Sequence, residues 1–190
     1  MAQTKILLDS NAYFRLAQNI HPLLFQSFGE EQFTLYVHND LTREFKRSSR
    51  LRNKFDWVYH PEYVENRKRS LTLSKAERQE SENTYDYMWE HVKADNLGPS
   101  EVDVKVLATA AAVGIQVVTD DADMIQLADA YGIHSITSME LMKLMLDHKH
   151  IDMDKVEQVV EQWMYDKDLP NRNFTKDYKR LFGRKPPKPA

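Results

Sequence analysis

Two short apolar runs, each stopped by a turn of carboxylates, constrain this chain most. Thr4 to Leu8 (TKILL) ends in Asp9-Ser10-Asn11. Ile115 to Val118, opened by Gly114, ends in Thr119-Asp120-Asp121-Ala122-Asp123. Short apolar runs bounded by glycine and polar residues read as buried strands. A helical pattern follows each, over Ala12–Ile20 and Met124–Tyr131. Strands alternating with helices in this way imply an α/β chain with a parallel sheet. Carboxylates just beyond such strands stand where open α/β sheets place their ligand sites.

The segments between follow the same rhythm. Phe33 to His38 alternates apolar and polar positions, as a strand with unequal faces would. A helix is expected from Leu41 to about Arg52, with Leu41, Phe45 and Ser48 in one stripe and Glu44 on its border. A short helix over Leu23–Phe28 and an edge strand over Phe55–Tyr59 are also expected. Leu71 to Lys93 reads as one or two amphipathic helices, with Tyr85, Met88, Trp89 and Val92 packing on the domain. After the loop Asn96–Pro99, Ser100 and Asp103 fit a capping box. Ile133–Thr137 is the next strand and Met139–Leu146 the next helix.

Each acid has a structural reading beside a functional one. Asp9, Asp121 and Asp123 suit helix caps and first turns. Asp103 suits its box, yet it shares a face with Leu107 and Ala110, the side expected to be buried, while Lys105 lies nearly opposite. An inward carboxylate without a basic neighbour in sequence asks for a cation. Asp120 is expected to be exposed.

Charge is segregated. Residues 43–70 carry nine Lys/Arg against four acids, residues 71–169 eight against twenty, and residues 170–190 seven against one. Two basic segments thus flank an acidic middle, although the net charge is only −3. Basic patches attract phosphate backbones, and an acidic pocket does so only when it holds a cation. The chain has no cysteine, which excludes disulfides, thiolate nucleophiles and zinc-thiolate sites. Its start lacks a signal-peptide pattern and no run is long enough to span a membrane, so a cytoplasmic protein with no membrane partner is expected.

Taken together these features resemble the PIN-domain ribonuclease family. The residues that carry the resemblance are Leu8-Asp9-Ser10-Asn11, Glu44 after the second strand, Asp103 followed by Ala108 and Ala110, and Val118-Thr119-Asp120-Asp121-Ala122-Asp123. The resemblance covers residues 4 to about 147. It departs in a long, charged, insertion-like segment, 47–99, and in residues 151–190, which have no assigned counterpart. It implies a PIN-like domain over 1–150, a three-layer α/β/α sandwich with a central parallel sheet, followed by a helical extension and basic tail over 151–190. It also implies an Mg²⁺- or Mn²⁺-dependent endoribonuclease. Asp9 and Asp121 would hold the central metal, Asp103 would complete that site or bridge to a second ion, Glu44 would bind the second ion or orient water, and Asp123 would hold a hydrated ion. Asp9, Glu44, Asp103 and Asp121 would also carry the catalysis. Asn11 and Thr119 would support the ligands by hydrogen bonds.

The basic residues Arg43, Lys46, Arg47, Arg50, Arg52 and Lys54 would guide an RNA substrate toward the metals. Some members of that family are toxins of toxin–antitoxin pairs, so an inhibitory partner protein (an antitoxin) is a further expectation. The tail offers two apolar stripes, Met153–Trp163 and Phe174–Phe182. They would serve docking on the parent domain, a homodimer contact, a partner site or an RNA clamp. Two alternatives stand beside the ribonuclease. One is a PIN-like scaffold that binds RNA or protein without cutting. The other is a structure-specific DNA nuclease of the related flap-nuclease superfamily, with 47–99 as an arch-like cover. A phosphatase of the Asp-x-Asp type is disfavoured by Asn11.

Overall fold

The structure, a computed structural model, describes residues 3–188; of Glu44 and Arg50 only the backbone is described. The elements in order are β1 (Thr4–Leu8), α1 (Ser10–Ala17), β2 (Phe33–Val37), α2 (Leu41–Arg47), α3 (Ser49–Lys54), a 3-10 turn (Asp56–Tyr59), α4 (Pro61–Asn66) and α5 (Lys75–Ala94). They continue with α6 (Glu101–Val113), β3 (Gln116–Val118), α7 (Ala122–Ala130), β4 (Ser135–Ile136), α8 (Ser138–Asp147), α9 (Met153–Tyr165) and α10 (Phe174–Phe182). The strands are parallel, in the order β2-β1-β3-β4.

Period-two alternation divides the core between the two faces of this sheet. Ile6 and Leu8 of β1, Leu35 and Val37 of β2, and Val118 of β3 join one apolar cluster with residues of α1, α8, α9 and α10. Leu7, Tyr36 and Val117 join a second cluster with residues of α5, α6 and α7. The chain is therefore a three-layer α/β/α sandwich around a parallel sheet, as expected. Strand β2 lies at the sheet edge but is covered on both faces, with Thr34 and Tyr36 as buried as Leu35 and Val37. The unequal faces read from its alternation are not found, because Phe25 packs against Tyr36 and the Ser27 hydroxyl bonds that of Thr34.

The extension packs into the parent domain. Val156, Val159, Val160 and Trp163 of α9, and Phe174 and Tyr178 of α10, are buried in the same cluster as β1. The Trp163 indole N–H donates to the Arg15 carbonyl at 2.8 Å.

Three local expectations are corrected. No helix forms over Leu23–Phe28; this stretch is irregular, with Leu23 and Leu24 buried and Phe25 at φ 61°. Asn66 holds its backbone, accepting from Leu24 N and donating to Leu24 O at 3.2 and 3.0 Å. The helix after β2 is two, not one, since Ser48 takes an extended backbone and caps α3 by accepting from Leu51 N. Residues 55–59 form a 3-10 turn rather than an edge strand. Phe55, Trp57 and Val58 are all buried there, and adjacent burial of Trp57 and Val58 defeats strand alternation. The segment 47–99 forms no arch. α5 lies along α6 and buries Met88 and Val92, while Phe55, Trp57 and Tyr63 pack around Tyr13, Phe14 and Gln18 of the α1 region.

Candidate active site

The strand order sets the position of the site. β2 lies on one side of β1 and β3 on the other, so the connections diverge and leave a crevice at the carboxyl ends of β1 and β3. Leu8 pairs with Val118, which places Asp9 beside Thr119, and Asp9 N donates to Val118 O at 3.0 Å.

Asp9 is buried and caps α1. Its Oδ1 accepts from Ala12 N and its Oδ2 accepts from Thr119 Oγ1, both at 2.5 Å. Burial raises its pKa to about 7; the bonds from Thr119 and Ala12 oppose the rise, and the nearby charges of Asp120 and Asp103 add to it. Thr119, fully buried, also accepts from Asp121 N at 3.1 Å, so one hydroxyl ties Asp9 to the turn that carries Asp121.

Asp103 is half-buried in its capping box, accepting from Ser100 N at 2.8 Å. Its pKa is raised, first by burial and further by Asp121, against the bonds from Ser100. Asp121 is exposed and caps α7; its Oδ1 accepts from Asp123 N and Met124 N, both at 2.9 Å. Asp123 is exposed and leans on the loop before α6. A Cβ placed on Gly98 would lie 2.0 Å from an Asp123 carboxylate oxygen, so only glycine fits there as the side chain stands. Asn11 is exposed in the first turn of α1. The side chain of Glu44, on α2 directly after β2, lies outside the described residues.

Asp120 corrects the expectation of exposure. Its side chain is 1% accessible. It accepts from Ser138 N at 3.0 Å and from Ser138 Oγ at 2.6 Å, and pairs with Arg15 at 3.0 Å. Arg15 in turn meets Asp168 at 3.2 Å, and Lys54 meets the same carboxylate at 3.0 Å. Burial works against the Arg15 charge, but Asp120, Asp168 and Asp9 outweigh it and raise its pKa. Burial likewise opposes ionisation of Asp168, yet Arg15 and Lys54 hold its pKa below the usual carboxylate range. Motif spacing does not single out Arg15. The signal it does leave is a lone charge within an otherwise uncharged helix, SNAYFRLA.

The basic residues of α2 and α3 do not form one uniform patch. Arg43 pairs with Asp40 at 2.9 Å, and Lys46 and Arg47 are exposed. Arg52 donates to the Lys46 carbonyl, Lys54 is turned toward Asp168, and the Arg50 side chain lies outside the described residues. Glu101, in the first turn of α6, has its pKa lowered first by its hydrogen bond from Lys105, with Arg43 and Arg47 contributing. The basic face of α2 therefore stands beside the start of the helix that carries Asp103.

The crevice thus unites Asp9, Thr119, Asp120, Asp103 and Asp121. Among the described residues no three His, Asp or Glu side chains converge closely enough to cage a metal ion. The donor set still fits a hard, hydrated cation such as Mg²⁺, which keeps several waters and takes one or two carboxylates. A buried Asp9 that shares its field with Asp103 and Asp120 is the observation favouring that fit. No helix of the described residues is long and apolar enough to cross a membrane.

No family model matches the chain, and no curated protein matches it. Among solved structures the chain is similar to one described as the crystal structure of FitAcB from Neisseria gonorrhoeae, with a TM-score of 0.45 and 15% identity. The match covers 70% of this chain and 97% of that one. A likeness of that size carries no argument about activity, and the site rests on its own geometry.

Proposed function

We propose that this chain is a PIN-like, divalent-metal-dependent endoribonuclease that hydrolyses phosphodiester bonds at the carboxyl edge of β1 and β3. The observation that carries the reading is the buried carboxylate of Asp9 at the switch point, within the field of Asp103 and Asp120 and joined through Thr119 to the Asp121 turn. Asp9 and Asp121 would hold an Mg²⁺ or Mn²⁺ ion, with Asp103 completing the site and Glu44 and Asp123 serving a second or outer ion. Bound there, the ion supplies Lewis acidity and a more acidic water. The chain's own contribution is positional. Thr119 and the N-terminus of α1 fix the Asp9 carboxylate, and Ser100 fixes that of Asp103. Arg15 and Ser138 engage Asp120, which holds the turn and leaves Asp121 to face the crevice. Asn11, exposed in the first turn of α1, would meet substrate or a ligand carboxylate. Arg43 and Arg47 supply positive charge next to the acids, where a phosphate backbone would approach. A toxin role with an inhibitory antitoxin remains part of this proposal through the sequence resemblance, whereas the homodimer rests on the tail stripes, whose apolar residues pack on the parent domain.

The test is cleavage of labelled single-stranded RNA and DNA with Mg²⁺ or Mn²⁺, comparing the native chain with Asp9→Asn and Asp121→Asn. Metal-dependent RNA cutting lost in both variants supports the reading; preferential cutting of DNA favours the flap-nuclease alternative. A second reading, a scaffold that binds without cutting, is favoured by the lack of a converged set of three ligands among the described residues. A folded native chain that neither cuts nor melts at a higher temperature with metal would sink the catalytic reading and favour the scaffold.

A further inference from the structure

The two basic segments lie more than a hundred residues apart in sequence, and side-chain contacts link both of them to the turn that carries the acids. On one side, Lys54 at the end of α3 meets Asp168, Asp168 meets Arg15, and Arg15 meets Asp120. On the other side, Ser138 at the start of α8 holds Asp120, and Glu140 in the same turn of α8 meets Arg180 of α10 at 3.5 Å. A path of polar contacts and one helical turn thus runs from α3 through Asp120 to α10.

Helix α10 has two distinct faces. Phe174, Tyr178, Leu181 and Phe182, at helical spacing, pack into the core. Lys176, Lys179 and Arg180 stand on the outer face, with Arg172 one turn earlier. Arg180 is engaged by Glu140 and Asp177. Lys176 and Lys179 are exposed and have no ion pair among the described residues. None of the exposed large apolar residues lies on α10. Protein interfaces centre on apolar and aromatic anchors and are depleted in lysine. A lysine face without such an anchor suits a polyphosphate better than a protein.

We infer that the outer face of α10 is a second wall of a track for single-stranded RNA, acting together with the exposed Lys46 and Arg47 of α2. The backbone is held on both sides while it crosses the acids. This rests on the proposed function for the identity of the strand, and it assigns the C-terminal extension to substrate binding. An acidic crevice repels phosphates on its own, so cationic contacts on both flanks would keep a strand seated across it.

The test is anisotropy of a labelled single-stranded RNA in Ca²⁺, from about 50 mM to about 200 mM salt, the range over which released counterions report phosphate contacts. Lys176→Gln/Lys179→Gln is compared with the native chain and with Lys75→Gln/Lys149→Gln. The control removes the same charge from the start of α5 and from the turn that follows α8. Circular dichroism checks the fold of each. For two lost contacts to a single strand, the slope of log affinity against log salt should shrink by about 1.4 in the α10 variant. Affinity near 0.1 M salt should fall about 10-fold or more, and the control should stay close to native. Equal slopes for both variants would overturn the inference, as would a native chain that binds no RNA. Loss of binding to polyglutamate with RNA binding intact would also overturn it, giving the face to an acidic protein. Cleavage in Mg²⁺ is read separately. A native chain that cuts RNA while the α10 variant binds normally defeats the track alone. A native chain that binds through α10 and does not cut defeats the nuclease alone.

Discussion

The two ends of the sheet present opposite situations. At the amino end, the strands and the C-termini of α6 and α7 border an open cavity of about 840 Å³, lined by residues including Lys5, Phe33, Ile115, Tyr131 and His134. At the carboxyl end, α1, α6, α7 and α8 all begin, capped by Asp9, Ser100, Asp121 and Thr137. Each start turns unpaired N–H groups and the positive end of a helix dipole toward the crevice. That field lets carboxylates crowd where solvation alone would not hold them. That cavity has no buried acid among its lining.

That contrast can be broken in several ways. The largest effect is expected from Asp9→Asn and from Asp121→Asn, each lowering metal-dependent RNA cleavage about 1,000-fold, the upper range for loss of one electrostatic contributor. Gln116→Ala and His134→Ala at the amino end should leave the rate unchanged. A comparable loss from the amino-end variants would place the chemistry at the wrong end of the sheet.

Asp120→Ala should cost about 3 kcal/mol of stability in urea unfolding, since it strips a partner from a buried, hydrogen-bonded pair. Asp123→Ala, an exposed acid in the same turn region, should cost far less. Equal costs would show that Asp120 is not the anchor of the turn.

Thr119→Val keeps the shape and removes the hydroxyl that bonds Asp9 and Asp121 N. Mg²⁺ affinity, read by thermal shift, should weaken about 10-fold, as for other groups that orient a ligand. Unchanged affinity would mean that Asp9 needs no such support.

The last effect concerns pH. Asp9 has a folded pKa of about 7 against an ordinary value of 3.8, so the folded chain holds the proton more tightly. This contribution is full below the ordinary value and is lost as pH rises through about 7. The melting temperature of the metal-free chain should therefore decline toward alkaline pH, and Asp9→Asn should flatten that decline. Saturating Mg²⁺ should oppose it, because the ion selects the carboxylate and displaces the proton. The same slope in Asp9→Asn would assign the titration to another group.

Much of the site is legible in local sequence. The acidic turns after TKILL and IQVV, the capping box at Ser100 and the left-handed Gly114 that ends α6 are local features, and each occurs where spacing puts it. Local signals fail where burial is decided by distant chain. Asp120 looks like any turn acid until Arg15 and Ser138 close on it. Residues 55–59 look like a strand until Phe14 and Tyr13 pack against Phe55 and Trp57. Leu23–Phe28 carries enough apolar residues for a helix, yet its backbone is held open by Asn66, more than forty residues away.

The layered α/β plan, and the sheet edge on which the acids fall, are properties of the sequence. Strand and helix periods are set by neighbouring residues, and a strand's direction follows from its order in the chain. Which acid anchors the turn and which are free to bind is a matter of tertiary packing. Ionisation and pairing depend on what lies within a few ångströms, and here those neighbours come from Arg15, Ser138 and Asp168. Packing also brought the basic C-terminal helix to the flank of the acids, a placement made by the apolar faces of α9 and α10 against α1 and α8 and by no pattern in the charges themselves.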